Sequence, residues 1–307
     1  MVNVADPAWP LRELVVDGAR VRYVDVGSGA PLVLLHGYPQ SHRCWRHQIG
    51  TLARRRRVIA PDWPGWGASE RSFALACDYA SEAARIGRFL DALALDAVDL
   101  AAHDYGGFLG LGFVIAHPER VTRFAILNSR AHRSFPTPWY QQFASMSFLA
   151  SHAWLRPILE GMPLGSLHRR SLAPYVGMGC FDPALLDEYV GFMDTAEGRR
   201  WLAHFFAGYR VVIRPELAAG LAGITCPTTI VWGDRDPYCP LATAEELAAA
   251  IPDATLHRIV GADHYVMEEC PADVLAALET WLDRRARPTG FGYGAPHASS
   301  STRGDRG

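Results

Sequence analysis

Asp99-Leu-Ala-Ala-His-Asp-Tyr-Gly-Gly-Phe108 is the stretch that decides how this 307-residue chain is read. It begins as a short apolar strand, turns at His103, and passes through glycine into a helix expected over about 108–116. Asp104 stands at the apex, with Ala102 two residues before it and Gly106 two residues after. A sharp strand-to-helix turn needs small residues at those two places, because larger ones would collide with the neighbouring strand and helix. The spacing therefore matches a nucleophile elbow, in which the central side chain is raised at the C-terminal edge of a sheet and the following N–H groups face the reaction. Most such elbows carry serine at the centre; here it is a carboxylate. Aspartate is also a leading helix N-cap, so the stretch taken alone suits capping equally well.

Upstream, Leu14-Val-Val16 and Val21-Arg-Tyr-Val-Asp-Val26 flank Asp17-Gly18, a strong hairpin signal. Pro31-Leu-Val-Leu-Leu35 is a continuous apolar run of the kind seen in a strand covered on both faces, and it ends in the loop His36-Gly37-Tyr38-Pro39-Gln40. A short helix is expected around 45–53. The four arginines Arg54 to Arg57 read as a solvated helix end rather than a nucleic-acid patch, since no aromatic or basic stretch accompanies them. Val58-Ile-Ala60 is a second buried strand, and 79–95 has helical spacing with Ala83, Ile86, Phe89, Leu90 and Leu93 on one face. Another strand follows the elbow helix over 121–127. Strands and helices alternate from 31 to 128, which predicts a largely parallel sheet with helices on both faces.

From 130 to 215 the alternation stops. This stretch is aromatic and helical in pattern, and aromatic runs are usually core. Thr228-Thr-Ile-Val-Trp232 and Ala254-Thr-Leu-His-Arg-Ile-Val260 resume the strands, with helices expected over 242–250 and 273–285. The expected layout is an α/β core over 1–129 and 216–287, a helical insertion over 130–215, and a disordered tail over 288–307.

Composition narrows the function. Lys plus Arg is 30 and Asp plus Glu is 32, so no net field favours nucleic acid or an anionic membrane. No apolar run approaches a membrane span, and the first ten residues lack a secretory pattern. A cytoplasmic location is expected. Six scattered cysteines form no C-x-x-C pair, giving no support for zinc or a disulfide framework. The expected partners are a small hydrophobic substrate and water, with no cofactor and no metal; a homodimer is left open.

In an open parallel sheet, ligands bind beyond the carboxyl ends of the strands. Loops with polar residues emerge there at 36–40, 103–107, Gly233-Asp-Arg-Asp-Pro237 and Gly261-Ala-Asp-His-Tyr265. They offer a nucleophile, an orienting acid and a base in chain order. A lone loop histidine is more often a surface residue, but after an elbow and an acidic loop His264 reads as the base.

The order and wording of these loops resemble the α/β-hydrolase family over roughly 12–286. The 36–40 loop with Trp45-Arg-His-Gln48, and the His103-Asp104-x-Gly106 elbow, resemble its epoxide hydrolase and dehalogenase branch. The resemblance implies an α/β-hydrolase fold whose helical insertion is a lid, a triad of Asp104, Asp236 and His264, and an oxyanion hole from the amides of Tyr38 and Tyr105. Asp234 rivals Asp236; the family's Gly-x-x-Asp pattern, begun at Gly233, favours Asp236.

An aspartate nucleophile displaces leaving groups at saturated carbon and is poor at ordinary esters, so an epoxide oxygen or a halide is expected to depart. Haloalkane dehalogenases place a Trp just after the nucleophile, where this chain has Tyr105. Nor does the Arg that often follows the nucleophile of fluoroacetate-type enzymes stand there. Epoxide opening is therefore the expectation, with a haloalkane or haloacid dehalogenase as the alternative and a non-catalytic ligand-binding protein as a third reading. For the leaving group, Tyr209 and Tyr140 are the expected lid donors, with Tyr175, Tyr189 and Trp201 as further candidates and His36 and His103 as substrate contacts.

Overall fold

A computed structural model describes residues 9–130, 138–210, 212 and 214–286, and for Pro138 to Tyr140 the backbone alone. The expected tail over 288–307 lies outside the described residues. Eight strands form one sheet: β1 (Leu11–Val16), β2 (Ala19–Gly27), β3 (Pro31–Leu35), β4 (Arg57–Pro61), β5 (Val98–His103), β6 (Val121–Leu127), β7 (Thr228–Gly233) and β8 (Ala254–Ile259). Their order is β1-β2-β4-β3-β5-β6-β7-β8. Asp17 and Gly18 both have positive φ, 53° and 77°, the backbone that a two-residue hairpin turn requires. β2 runs antiparallel to β1 and β4, and all other pairs are parallel.

The helices are α1 (Arg46–Leu52), α2 (Tyr79–Ala92), α3 (Asp104–Ala116), α4 (Pro138–Ser151), α5 (Arg156–Gly161), α6 (Leu164–Gly177), α7 (Pro183–Val190), α8 (Ala196–Gly208), α9 (Pro215–Gly220), α10 (Leu241–Ala250), α11 (Val266–Glu269) and α12 (Pro271–Asp283). β3, β5, β6 and β7 are buried at every position, as continuous apolar runs between two helical layers should be. Alternation along each strand splits the core in two. Val33, Leu35, Leu100 and Phe124 meet Phe89, Phe108 and Phe113 of α2 and α3. Leu32, Leu34, Ala101 and Ala125 meet Ile49 of α1 and Leu278 and Trp281 of α12. Between β6 and β7 the described chain holds α4 to α9 and no strand. Among the described residues no helix is long and apolar enough to cross a membrane.

Local details depart from the sequence reading. The helix expected at 45–53 opens with a 3₁₀ turn, His42–Trp45, capped by Ser41, before α1 begins. α3 starts at Asp104 itself, because Gly106 and Gly107 lie inside the helix and serve close packing. A Cβ on Gly106 would lie 2.5 Å from the His36 carbonyl, and one on Gly107 would lie 2.7 Å from Ser129 Oγ. The arginine run is not simply a solvated end. Arg57 opens β4 and pairs with Asp25 at 2.9 Å, and Arg56 reaches the fully buried Asp99, which also holds Arg123 and Thr122.

Candidate active site

β5 delivers Asp104 to the C-terminal edge of the sheet with φ +43°, a left-handed conformation that a non-glycine residue adopts only where its surroundings enforce it. Those surroundings are close. Gly106 N–H donates to the His36 carbonyl at 3.1 Å, and Ser129 Oγ donates to the Asp104 carbonyl at 2.6 Å. A Cβ on Gly37 would lie 2.7 Å from the Asp104 Cβ, so the loop after β3 can press against the elbow only as glycine. That approach brings the Tyr38 amide to 3.0 Å from Asp104 Oδ2. The Tyr105 amide lies in the first turn of α3, where no intrahelical acceptor exists.

Asp104 Oδ1 accepts no hydrogen bond among the described residues, and it faces His264 Nε2 at 3.8 Å. His264 Nδ1 donates to Asp236 Oδ2 at 2.8 Å. Oδ1 of Asp236 accepts from the Tyr238 and Cys239 amides at 2.7 and 2.8 Å. Glu269 fixes the histidine loop by accepting from the Asp263 and Tyr265 amides. Asp234, the rival acid, turns away to Arg258 at 2.7 Å and to the Gly261 amide at 2.8 Å. Thus Asp104, Asp236 and His264 come together and Asp234 does not join them.

Sequence reading missed Asn128. Its amide nitrogen donates to Asp236 Oδ2 at 2.7 Å, and its side-chain oxygen accepts from the Gly233 amide at 3.1 Å. The signal was available: Asn128-Ser129-Arg130 is a polar run that follows the apolar end of β6, Phe124 to Leu127, at the ligand-binding edge. The Asp236 carboxylate, the Cys239 thiol and the His264 imidazole lie within 4.8 Å of one another, a grouping that could hold a metal. Four donors already fill Asp236, so it reads as a hydrogen-bonded acid–base pair.

The charges respond to these contacts. Burial raises the Asp104 carboxyl, but His264, Arg130, His103 and the Tyr38 amide outweigh it and hold the group below the usual carboxylate range. Burial pulls the His264 imidazole down, yet Asp236, Cys239 and Asp104 hold it well above the ordinary histidine value. Burial drives His103 to about 3.

A cavity of about 710 Å³ opens above Asp104 and His264. Its wall is mainly apolar, from residues such as Phe143, Met146, Leu149, Phe205 and Phe206, with polar members that include Tyr38, Tyr105, Tyr209, Tyr238, His168, Gln142, Arg130 and Arg170. Tyr209 lines it. The other expected contacts lie elsewhere. Trp201 packs against Gly65 and the rings of Phe73 and His204, because Gly65 leaves it the space a side chain would fill. His36 is spent on structure, accepting from the Trp63 amide and bonding the Gly37 carbonyl, both at 2.8 Å. His103 donates to the His264 carbonyl at 3.0 Å and so braces the histidine loop. Tyr175 and Tyr189 donate to Asp263 and Glu268. The Tyr140 side chain lies outside the described residues. An unexpected pair lines the cavity instead: the Tyr38 hydroxyl donates to His168 Nε2 at 2.6 Å, the His168 Nδ1 being used on the Leu164 carbonyl.

A parallel sheet with an acidic elbow, an acid–histidine pair on later strand ends and a helical cover defines a hydrolase-type scaffold. Residues 30–271 match the α/β hydrolase fold family, and the chain belongs to it. Haloalkane dehalogenase 2 of Mycobacterium tuberculosis (strain ATCC 25618 / H37Rv) is 28% identical over 272 residues, covering 84% of this chain and 90% of that protein. Epoxide hydrolase A of the same organism is 29% identical over 321 residues, covering 89% and 97%. Among solved structures, an α/β hydrolase fold protein from Burkholderia ambifaria superposes with a TM-score of 0.74 at 27% identity, over 87% of this chain and 96% of that one.

Proposed function

We propose that this chain is a hydrolase acting through an alkyl ester on Asp104, and that it opens hydrophobic epoxides to vicinal diols. The observation that carries this reading is the asymmetry of the Asp104 carboxylate: Oδ2 is held by the Tyr38 amide, while Oδ1 faces the cavity and His264. Oδ1 attacks a ring carbon, the carbon–oxygen bond of the epoxide breaks, and its electron pair goes to the departing oxygen, which takes a proton from Tyr209. Alkylation removes the Asp104 charge, one of the influences that keeps His264 protonated. The imidazole can then release its proton, which returns through solvent to the Tyr209 phenolate, and deprotonate water. Hydroxide adds to the Asp104 carboxyl carbon, and the oxyanion forms at Oδ2, where the Tyr38 and Tyr105 amides meet it. Collapse frees the diol, which is protonated by His264, and the proton that the hydroxide left on the Asp104 carboxyl then passes to His264, restoring the carboxylate and the imidazolium. Asp236 holds the imidazolium throughout.

Tyr209 lines the cavity and no tryptophan does among the described residues, which favours an oxygen leaving group over a halide. The dehalogenase relative keeps halide displacement as the second reading of the same intermediate. The test is His264→Gln, which should arrest turnover at the ester. Intact-mass measurement after exposure to a panel of epoxides and alkyl halides should show a covalent adduct on Asp104 with epoxides. No adduct with any compound, together with unchanged turnover in Asp104→Ala, would refute the nucleophile assignment.

A further inference from the structure

Arg130 stands three residues beyond the end of β6, with its side chain 9% exposed, and lines the cavity. Its Nη1 is 3.9 Å from Asp104 Oδ1, the oxygen assigned to attack. The guanidinium lies over the Phe108 ring at 4.9 Å and the Tyr209 ring at 5.5 Å. Faces of aromatic rings attract the cation and fix its plane. An arginine cannot shed its proton, so this charge is permanent beside the nucleophile of a largely apolar cavity.

Resting on the Asp104 ester reading, we infer that Arg130 receives a carboxylate carried on or next to the carbon under attack, so that the preferred substrate is a 2,3-epoxy carboxylic acid with an apolar tail. Two arguments support this. The first is charge. In the free site Asp104 opposes Arg130, and Asp236 opposes His264. An anionic substrate approaching Asp104 without Arg130 would be repelled, and the guanidinium 3.9 Å from Oδ1 offsets that repulsion. A substrate carboxylate is the group that this placement of charge accommodates. The second is direction. In a near-attack geometry the reacting carbon lies about 3 Å from the attacking oxygen, with the leaving group on the far side and the substituents spread sideways. A guanidinium beside that same oxygen meets a substituent before it meets the leaving group. The planar fork of arginine suits a carboxylate in particular, and the apolar wall formed by Phe143, Met146, Leu149 and Phe206 suits the tail.

The test compares 3-phenyl-2,3-epoxypropanoate with its primary amide, a neutral analogue of the same shape, on the wild-type enzyme, Arg130→Met and Arg130→Lys. The wild type should prefer the acid by about 100-fold in kcat/KM, Arg130→Met should erase that preference, and Arg130→Lys should keep about tenfold of it. Equal or better use of the amide by the wild type overturns the inference. So does an equal loss on both substrates in Arg130→Met, which would assign the cation to Asp104 alone. Should Arg130→Met fail to fold, the wild-type ratio and competitive inhibition by 3-phenylpropanoate against 3-phenylpropanamide decide in the same way. Adduct mass in His264→Gln separates the two levels: labelling of Asp104 by the amide with no preference for the acid refutes only this inference, whereas no labelling by either compound refutes the ester reading itself.

Discussion

Asp236→Asn is the perturbation whose outcome the geometry constrains most tightly. Each oxygen of Asp236 accepts two bonds: Oδ1 from the Tyr238 and Cys239 amides at 2.7 and 2.8 Å, Oδ2 from Asn128 Nδ2 at 2.7 Å and His264 Nδ1 at 2.8 Å. A carboxylate has acceptor sites for all four donors, and a carboxamide offers one oxygen and one NH₂. The two backbone amides cannot move without the loop, so the new oxygen stays with them and the NH₂ turns toward His264 and Asn128. Two consequences follow. The imidazole must present a bare Nδ1, which shifts its proton to Nε2 and leaves no lone pair facing the water over Asp104. The fully buried Asn128 NH₂ loses the nearer of its two acceptors and keeps only the Asp263 carbonyl at 3.3 Å, at a cost of about 1 kcal/mol in stability. Loss of the correct tautomer in a comparable triad costs about 10⁴ in rate, or about 5.5 kcal/mol. Rapid quench with intact-mass detection should therefore show the Asp104 ester forming and then persisting, its hydrolysis slowed by about 10⁴. Hydrolysis within about tenfold of the wild type, with Asp234→Asn the slow variant, would refute the reasoning and move the acid to Asp234.

Tyr209→Phe removes the cavity-lining hydroxyl and should lower kcat/KM for an epoxide by about 10²-fold while leaving displacement of an alkyl halide nearly unaffected, measured as diol against halide release. If both fall together, Tyr209 shapes the cavity rather than protonating oxygen. The two chemical steps should also differ in pH dependence. Ester formation needs ionised Asp104, whose carboxyl is held low, so its rate should stay level through neutral pH and fall only on strong acidification. Ester hydrolysis needs neutral His264, whose imidazole is held high, so its rate should climb as pH rises. The midpoint of that climb should lie lower than the His264 titration of the free enzyme, because the ester carries no charge. Stopped-flow fluorescence across a pH series reads both steps, and a hydrolysis rate that falls with rising pH would contradict the assignment of His264 as base.

Features whose causes are local were legible in the sequence. Buried parallel strands announce themselves as unbroken apolar runs, Asp17-Gly18 closes its hairpin by its own backbone preference, and the small residues around Asp104 are required by the turn they flank. Features set by distant contacts were not. Asp99 reads as one more polar residue until the sheet brings Arg56 and Arg123 to it. α8 shows why the lid was harder still. Trp201 and Phe205 share a face of α8, and Tyr209 follows at the same spacing just past its end, so periodicity identifies the face but not which end of it lies over the elbow. Eight residues of helix span about 12 Å, enough for Trp201 to be buried against Gly65 while Tyr209 reaches the cavity.

The division of labour between the two aspartates belongs to the same class of distant causes. Asp104 and Asp236 are equally buried, at 6% exposure, and both contact His264. What separates them is the number of donors each receives. Asp236 is saturated by four, which spreads its charge over fixed partners and leaves no lone pair to attack carbon. Asp104 is held at one oxygen by one amide, so its second oxygen keeps its nucleophilic electrons and the space in front of them. In the proposed ester mechanism, donor count and access to the cavity together sort the roles, since Asp104 lines the cavity and Asp236 does not. Gly37, Asn128 and the tight loop at Tyr238 and Cys239 are therefore as much a part of the chemistry as the carboxylates they sort.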